Sequence, residues 1–220
     1  MSDWTLTGKA ALLIVHMQNA VVKTPSPLEM MGHGKAAHDE GVIDNIERLV
    51  AEFRSKSLPV VYCVAYTPPD ESRWPVYGGF WTGSQQIKVN YMGTWDVEII
   101  DELKPAPGEH IFYNWPFNVF EGTGLHEYLK ELGVGTVVLT GVATGMSVGT
   151  AAWGIAERFY NLIIPRDAST DGNSELHRVV CGSIFPAIGL VTTTEEVLAH
   201  LRGGAPAPSC PEVVELGAGG

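Results

Sequence analysis

Three places in the sequence bring together side chains able to make or break bonds. The apolar run Ala10–Gln18 (AALLIVHMQ) carries His16 and Gln18 at its end. His110–Asn114 ends on Asn114, and Thr136–Val142 (TVVLTGV) leads through Ala143-Thr144-Gly145-Met146 to Ser147. A serine hydroxyl barely ionises at neutral pH, so it acts as a nucleophile only with a base beside it. Imidazole, with a reference pKa of about 6.5, is well matched to that task. The same spacing puts Ser147 in the first turn of a predicted helix, where free backbone N–H groups and the helix dipole favour a developing negative charge. A nucleophile placed there has an oxyanion site at hand.

Gly145-Met146-Ser147-Val148-Gly149 also spells G-x-S-x-G between a predicted strand and a predicted helix. This is the nucleophile-elbow context of the α/β-hydrolases, which take their acid and histidine from later in the chain. Asp167 or Asp171 with His177 or His200 would have to serve. Both histidines fall inside predicted helices rather than on a late loop.

The elements that position these residues follow from hydrophobic patterning. Ala10–Gln18, Pro59–Thr67, His110–Asn114, Thr136–Val142, Leu162–Pro165 and Gly189–Thr194 read as strands, the first ones apolar enough to be buried on both faces. Between them, helices are expected over Ile43–Ser55, Val97–Leu103, Thr123–Leu132, Met146–Phe159 and Ser174–Phe185, with a last one ending at Leu201. The alternation implies an α/β fold: a three-layer α-β-α sandwich around a mainly parallel sheet. In such sheets ligands gather at the carboxyl ends of the strands, where His16, Asn114 and Ser147 fall. Asn19–Gly41 and Thr67–Tyr91 read as long loops, usually functional ones. His33 and His38 are expected on the surface of the first, with a lid role as the alternative.

Composition narrows the function classes. The 220 residues suit one domain, read as residues 1–202 followed by a Gly-, Ala- and Pro-rich tail over 203–220. A net charge of −11 with no basic run argues against nucleic acid as a partner. No run of eighteen apolar residues is present, so no membrane span is expected, and the first residues do not read as a signal peptide. Cys63, Cys181 and Cys210 form no CxxC pair; neither a disulfide framework nor a cysteine-rich zinc site is expected, and a reducing cytoplasm is the default. Cys63 and Cys181 read as buried thiols and Cys210 as an exposed one. The aromatics Trp74, Tyr77, Phe80, Trp81, Tyr91, Trp115 and Phe117 cluster in the second long loop and after the third strand, which suggests an apolar or cyclic ligand.

Several motifs in order resemble the isochorismatase-like hydrolases, the cysteine hydrolase superfamily. ALLIVHMQNAV resembles that family's opening strand. MGTWDVEIIDELKPAPGEHIF resembles its segment before the third strand, and NVFEGTGLHEYLKELGVGTVVLTGVATGMSVGTAAWGIAERFYNLIIPRDAST its long signature. The likeness runs from about Ala10 to Thr194. It implies an isochorismatase-like, Rossmann-type sheet, a homo-oligomer (dimer or tetramer), a non-proline cis peptide at Val142–Ala143 and a small-molecule substrate. It also implies that His16, Asn114 and Ser147 stand where the family usually has Asp, Lys and Cys. Asp70 follows the second strand without an accompanying histidine, so neither a metal nor any other cofactor is expected.

Placed together by the resemblance, the three residues suggest a coherent replacement: a weaker nucleophile with a better base. Ser147 would attack a carbonyl, His16 would take its proton, and Asn114 would orient the imidazole. The backbone N–H groups of Ala143 and Ser147 would hold the oxyanion. Phe80, Trp81, Tyr91, Trp115, Phe117 and Gln18 are the expected substrate contacts. The substrate expected is an ester, lactone or activated amide. Two alternatives stay open: hydrolysis of a vinyl ether by acid catalysis from His16 with no covalent intermediate, and a catalytically inactive homologue that binds a small molecule.

Overall fold

In the computed structural model, residues 8–68, 70, 74, 75, 77–115 and 117–203 are described. Seven strands among them form one sheet: β1 (Lys9–Val15), β2 (Val60–Ala65), β3 (His110–Asn114), β4 (Val134–Val142), β5 (Asn161–Pro165), β6 (Ser169–Thr170) and β7 (Leu190–Thr192). The order is β3-β2-β1-β4-β5-β7, with β6 paired to the end of β4, and every strand pairing is parallel. The strand order reverses between β1, paired to β2 on one side, and β4 on the other. Ligands in open α/β sheets bind at such a reversal.

The continuous apolar runs are explained by burial on both faces. Along β1, Leu12 and Ile14 join one core while Ala11, Leu13 and Val15 join the other. Strand β2 divides the same way, with Tyr62 and Val64 against Val61 and Cys63. Alternation of period two delivers each strand's side chains to opposite sides. On the first side lie α3 (Val42–Ser55) and α8 (Thr194–Leu201). Helix α3 buries Val42, Ile43, Ile46, Leu49, Val50 and Phe53, the stripe that its periodicity predicts. A capping box between Thr193 and Glu196 starts α8. On the second side lie α5 (Leu125–Glu131) and α6 (Ser147–Glu157). The expected three-layer α/β architecture is the one observed.

Several connections differ from expectation. The first long loop contains α1 (Asn19–Val22) and α2 (His33–Asp39), and the second contains α4 (Gly79–Ile87). These helices are too short, and those with Gly too interrupted, for a helical period to emerge from the sequence. The helix expected over Val97–Leu103 is two separate 3₁₀ turns, Trp95–Val97 and Asp101–Leu103. The helix expected over Ser174–Phe185 is α7 (Ser174–Val179) followed by a π-turn, Val180–Ile184. No helix among the described residues is long and apolar enough to cross a membrane. The tail beyond Gly203, with Cys210, lies outside the described residues.

Candidate active site

Three strands converge on one point. Where β1 ends, His16 takes a left-handed backbone conformation (φ 54°), rare for a residue with a Cβ, while its N–H donates to the Cys63 carbonyl at 2.9 Å. The turn swings the imidazole to the sheet's carboxyl edge, where it is buried. Two strands away, β3 ends on Asn114, also buried. On the other side of β1, β4 passes through Gly141 just before its end, and its backbone there runs so near β1 that a Cβ on Gly141 would lie 2.1 Å from the Val15 carbonyl oxygen. The Val142–Ala143 peptide that follows is cis, as the resemblance implies. The chain then turns through Thr144-Gly145-Met146 into Ser147, the first residue of α6.

His16 Nε2 lies 3.1 Å from Asn114 Oδ1. With a carbonyl oxygen as partner, Nε2 carries the proton and donates it. The neutral ring then keeps an unprotonated Nδ1. Burial pushes the pKa of His16 down to about 4; the Asn114 bond pulls it up by less, and the nearby His33 lowers it slightly. At neutral pH the ring is an uncharged proton acceptor.

The turn before α6 uses its backbone donors unequally. Thr144 N–H donates to the Thr170 carbonyl at 3.0 Å and Gly145 N–H to Asp171 Oδ2 at 2.9 Å. The N–H groups of Met146 and Val148 both donate to the Ala143 carbonyl at 3.0 Å. Those of Ala143 and Ser147 have no hydrogen-bond partner among the described residues. They are the two expected to hold an oxyanion.

A cavity of about 50 Å³ opens in front of this turn. His16 and Ser147 both line it. Val21, Leu28, Met31, Ala65, Val142, Ala143 and Met146 supply apolar wall, and Phe80, Trp115 and Phe117 an aromatic one. His33 and Asn90 complete it. The expected contacts Phe80, Trp115 and Phe117 are therefore at the cavity; Gln18, Trp81 and Tyr91 are not among its lining. Successive helical residues point about 100° apart, so with Phe80 at the cavity Trp81 turns aside. It packs edge-on against Trp74 and Trp115. Tyr91 follows Asn90, whose backbone is left-handed (φ 66°), and is bridged to Thr67.

Gln18 is buried behind the wall. Its Oε1 accepts from Ala65 N–H at 2.7 Å, which fixes the amide's orientation. Its Nε2 donates to the Ala65 carbonyl, the Asp96 carbonyl and Asn90 Oδ1. Gln18 thus holds Asn90 with its oxygen turned away, leaving the Asn90 amide nitrogen as a donor. Nothing in the sequence around Asn90 signalled it. His33, expected on the surface, is buried at the start of α2, and its Nδ1 accepts from Gly172 N–H at 2.9 Å. His38 is exposed, as expected.

The direct hydrogen bond expected between His16 and Ser147 is not formed; the ring hydrogen-bonds Asn114 through Nε2 instead. The residues required by the G-x-S-x-G alternative lie elsewhere. Asp167 caps α8 through Thr194, His177 Nδ1 lies 3.2 Å from the Thr144 hydroxyl, and neither they nor Asp171 nor His200 line the cavity. The thiols of Cys63 and Cys181 are buried, and burial raises both pKa values, that of Cys181 to about 11. Neither is a nucleophile at neutral pH. Among the described residues no group of three or more His, Cys, Asp or Glu is arranged to hold a metal ion.

Residues 10–196 match the family model described as the isochorismatase domain. The chain is 27% identical over 200 residues to the uncharacterized isochorismatase family protein YwoC of Bacillus subtilis, covering 88% of this chain and 95% of that one. It is 27% identical over 194 residues to the ureidoacrylate amidohydrolase RutB of Methylobacterium radiotolerans, covering 82% and 75%. Among solved structures, a cysteine hydrolase from Pseudomonas syringae pv. phaseolicola superposes with a TM-score of 0.76 at 21% identity, over 89% of this chain and 93% of that one.

Proposed function

This chain belongs to the isochorismatase family of hydrolases, and we propose that it hydrolyses a small apolar or cyclic carbonyl compound, an ester, lactone or activated amide, with Ser147 as nucleophile and His16 as general base. The observation that carries this reading is the tie from Asn114 to the Nε2 of His16, which lines the same cavity as Ser147. It spends one ring nitrogen on orientation and leaves Nδ1 to accept a proton, the role division seen when a third group orients a catalytic imidazole.

In the proposed mechanism the carbonyl enters between the aromatic wall and the turn before α6. Ser147 Oγ bonds to the carbonyl carbon as its proton passes to His16 Nδ1, a contact made once substrate tightens the site. The carbonyl oxygen takes the negative charge and faces the N–H groups of Ala143 and Ser147, with the first turn of α6 adding its dipole. Collapse expels the alcohol or amine, which takes the proton back from Nδ1. Water, deprotonated by the same nitrogen, then releases the acid and restores the hydroxyl. An amide as substrate is supported by the amidohydrolase among the relatives. Acid catalysis by His16 is disfavoured: a ring held neutral by burial has little proton to give to a vinyl ether.

The test is turnover of p-nitrophenyl acetate, an activated ester, by the wild type and by Ser147→Ala and His16→Ala. Both substitutions are expected to lower kcat by about 10³-fold or more. Full activity in Ser147→Ala would overturn the reading.

A further inference from the structure

We infer that His33 is a substrate-binding residue of this cavity, donating a hydrogen bond from Nε2 to an uncharged oxygen of the ligand. The inference rests on the reading above only in taking the cavity as the substrate site. Its ground is the way the ring is held. His33 opens α2 and forms part of the cavity wall while being only 7% exposed. Its Nδ1 accepts the Gly172 N–H at 2.9 Å. A nitrogen that accepts cannot carry the proton, so the neutral ring must be protonated at Nε2. That N–H has no partner among the described residues.

The ring is held by close backbone packing. A Cβ on Gly172 would lie 1.8 Å from the Met31 carbonyl oxygen, and one on Gly34 would lie 2.7 Å from that of Val22. The residues on both sides of His33 are thus pressed backbone to backbone against two other segments, and the imidazole is aimed before any ligand arrives. Such preorganisation is what a binding donor needs.

The class of acceptor follows from the charges around it. Burial lowers the pKa of His33, and Asp171 raises it by less. Among the described residues that line the cavity there is no Lys, Arg, Asp or Glu. A carboxylate ligand would be buried there without a counter-charge, at high cost. A carbonyl, lactone or amide oxygen needs only the donor that the ring offers.

Two substitutions separate binding from anchoring. In His33→Asn the side-chain oxygen takes the place of Nδ1 and keeps the Gly172 bond, but the Nε2 donor is gone. In His33→Gln the amide nitrogen takes the place of Nε2 and the Gly172 bond is lost. The probe is cyclohexanone, a cyclic carbonyl compound with no bond to hydrolyse, titrated by ligand-observed NMR, with Tm recorded for each protein. The expected result is about fivefold weaker binding in His33→Asn at unchanged Tm, and binding within about twofold of wild type in His33→Gln. Wild-type affinity in His33→Asn, equal weakening in both variants, or no saturable binding by the wild type would overturn it. Because the probe does not react, this outcome is independent of whether Ser147 proves to be the nucleophile.

Discussion

The imidazole of His16 and the amide of Asn114, 98 residues apart in the chain, meet at 3.1 Å across the carboxyl edge of the sheet. Strand β2 lies between the strands that carry them. The contact is therefore a product of the parallel register rather than of local sequence, and it decides which ring nitrogen can act as a base.

Asn114→Leu removes the acceptor and keeps the approximate volume. The ring is then free to place its proton on either nitrogen, and kcat is expected to fall by roughly 10- to 100-fold with little change in KM. Steady-state kinetics on p-nitrophenyl acetate check this.

Asn114→Asp should act in the opposite electrostatic sense. A carboxylate beside the ring favours the imidazolium, so the His16 pKa rises from about 4 toward its ordinary value. The base must be unprotonated to work. The acid limb of kcat/KM, expected near pH 4 in the wild type, should therefore move upward in the variant. An unmoved limb would assign it to another group.

The same burial has a consequence for stability. Between a free value of 6.5 and a folded value of about 4, the unfolded chain binds a proton at His16 and the folded chain does not. This group's contribution is complete above about pH 6.5, is lost as pH falls toward 4 and is constant below that. Chemical unfolding at about pH 7 and about pH 4.5 should show the wild type losing about 2–3 kcal/mol more than His16→Asn over that interval. His33, also shifted downward by burial, adds in the same direction in both proteins.

Gly141→Ala tests the closeness of β4 to β1. The added Cβ would stand 2.1 Å from the Val15 carbonyl oxygen, at a residue with φ of 114°. Both conflicts are with backbone, so neither a rotamer change nor a small side-chain shift relieves them. A loss of about 2–4 kcal/mol is expected in chemical unfolding, together with loss of turnover, because the turn carrying Ser147 starts there.

Much of this was legible in the sequence. Strands buried on both faces announce themselves as unbroken apolar runs, so β1, β2 and β4 and the residues at or just past their ends, His16 and the approach to Ser147, could be read directly. The stripe of α3 was equally plain. What escaped depends on direction and close approach. Phe80 and Trp81 are adjacent aromatics, and only the helix's orientation selects Phe80 for the cavity. Gln18 lies three residues past the end of β1, yet its amide turns back on Ala65 and Asn90. His33 sits in Met31-Gly32-His33-Gly34, which reads as exposed loop; its glycines have meaning only once Met31 and Val22 are found packed against Gly172 and Gly34.

The central claim is a covalent step at Ser147, and the most direct measurement is mass spectrometry of protein quenched during turnover of p-nitrophenyl acetate. The account predicts an acetyl group on the peptide containing Ser147, absent from Ser147→Ala and strongly reduced in His16→Ala. Turnover without any acetylated intermediate, undiminished in Ser147→Ala, would contradict it.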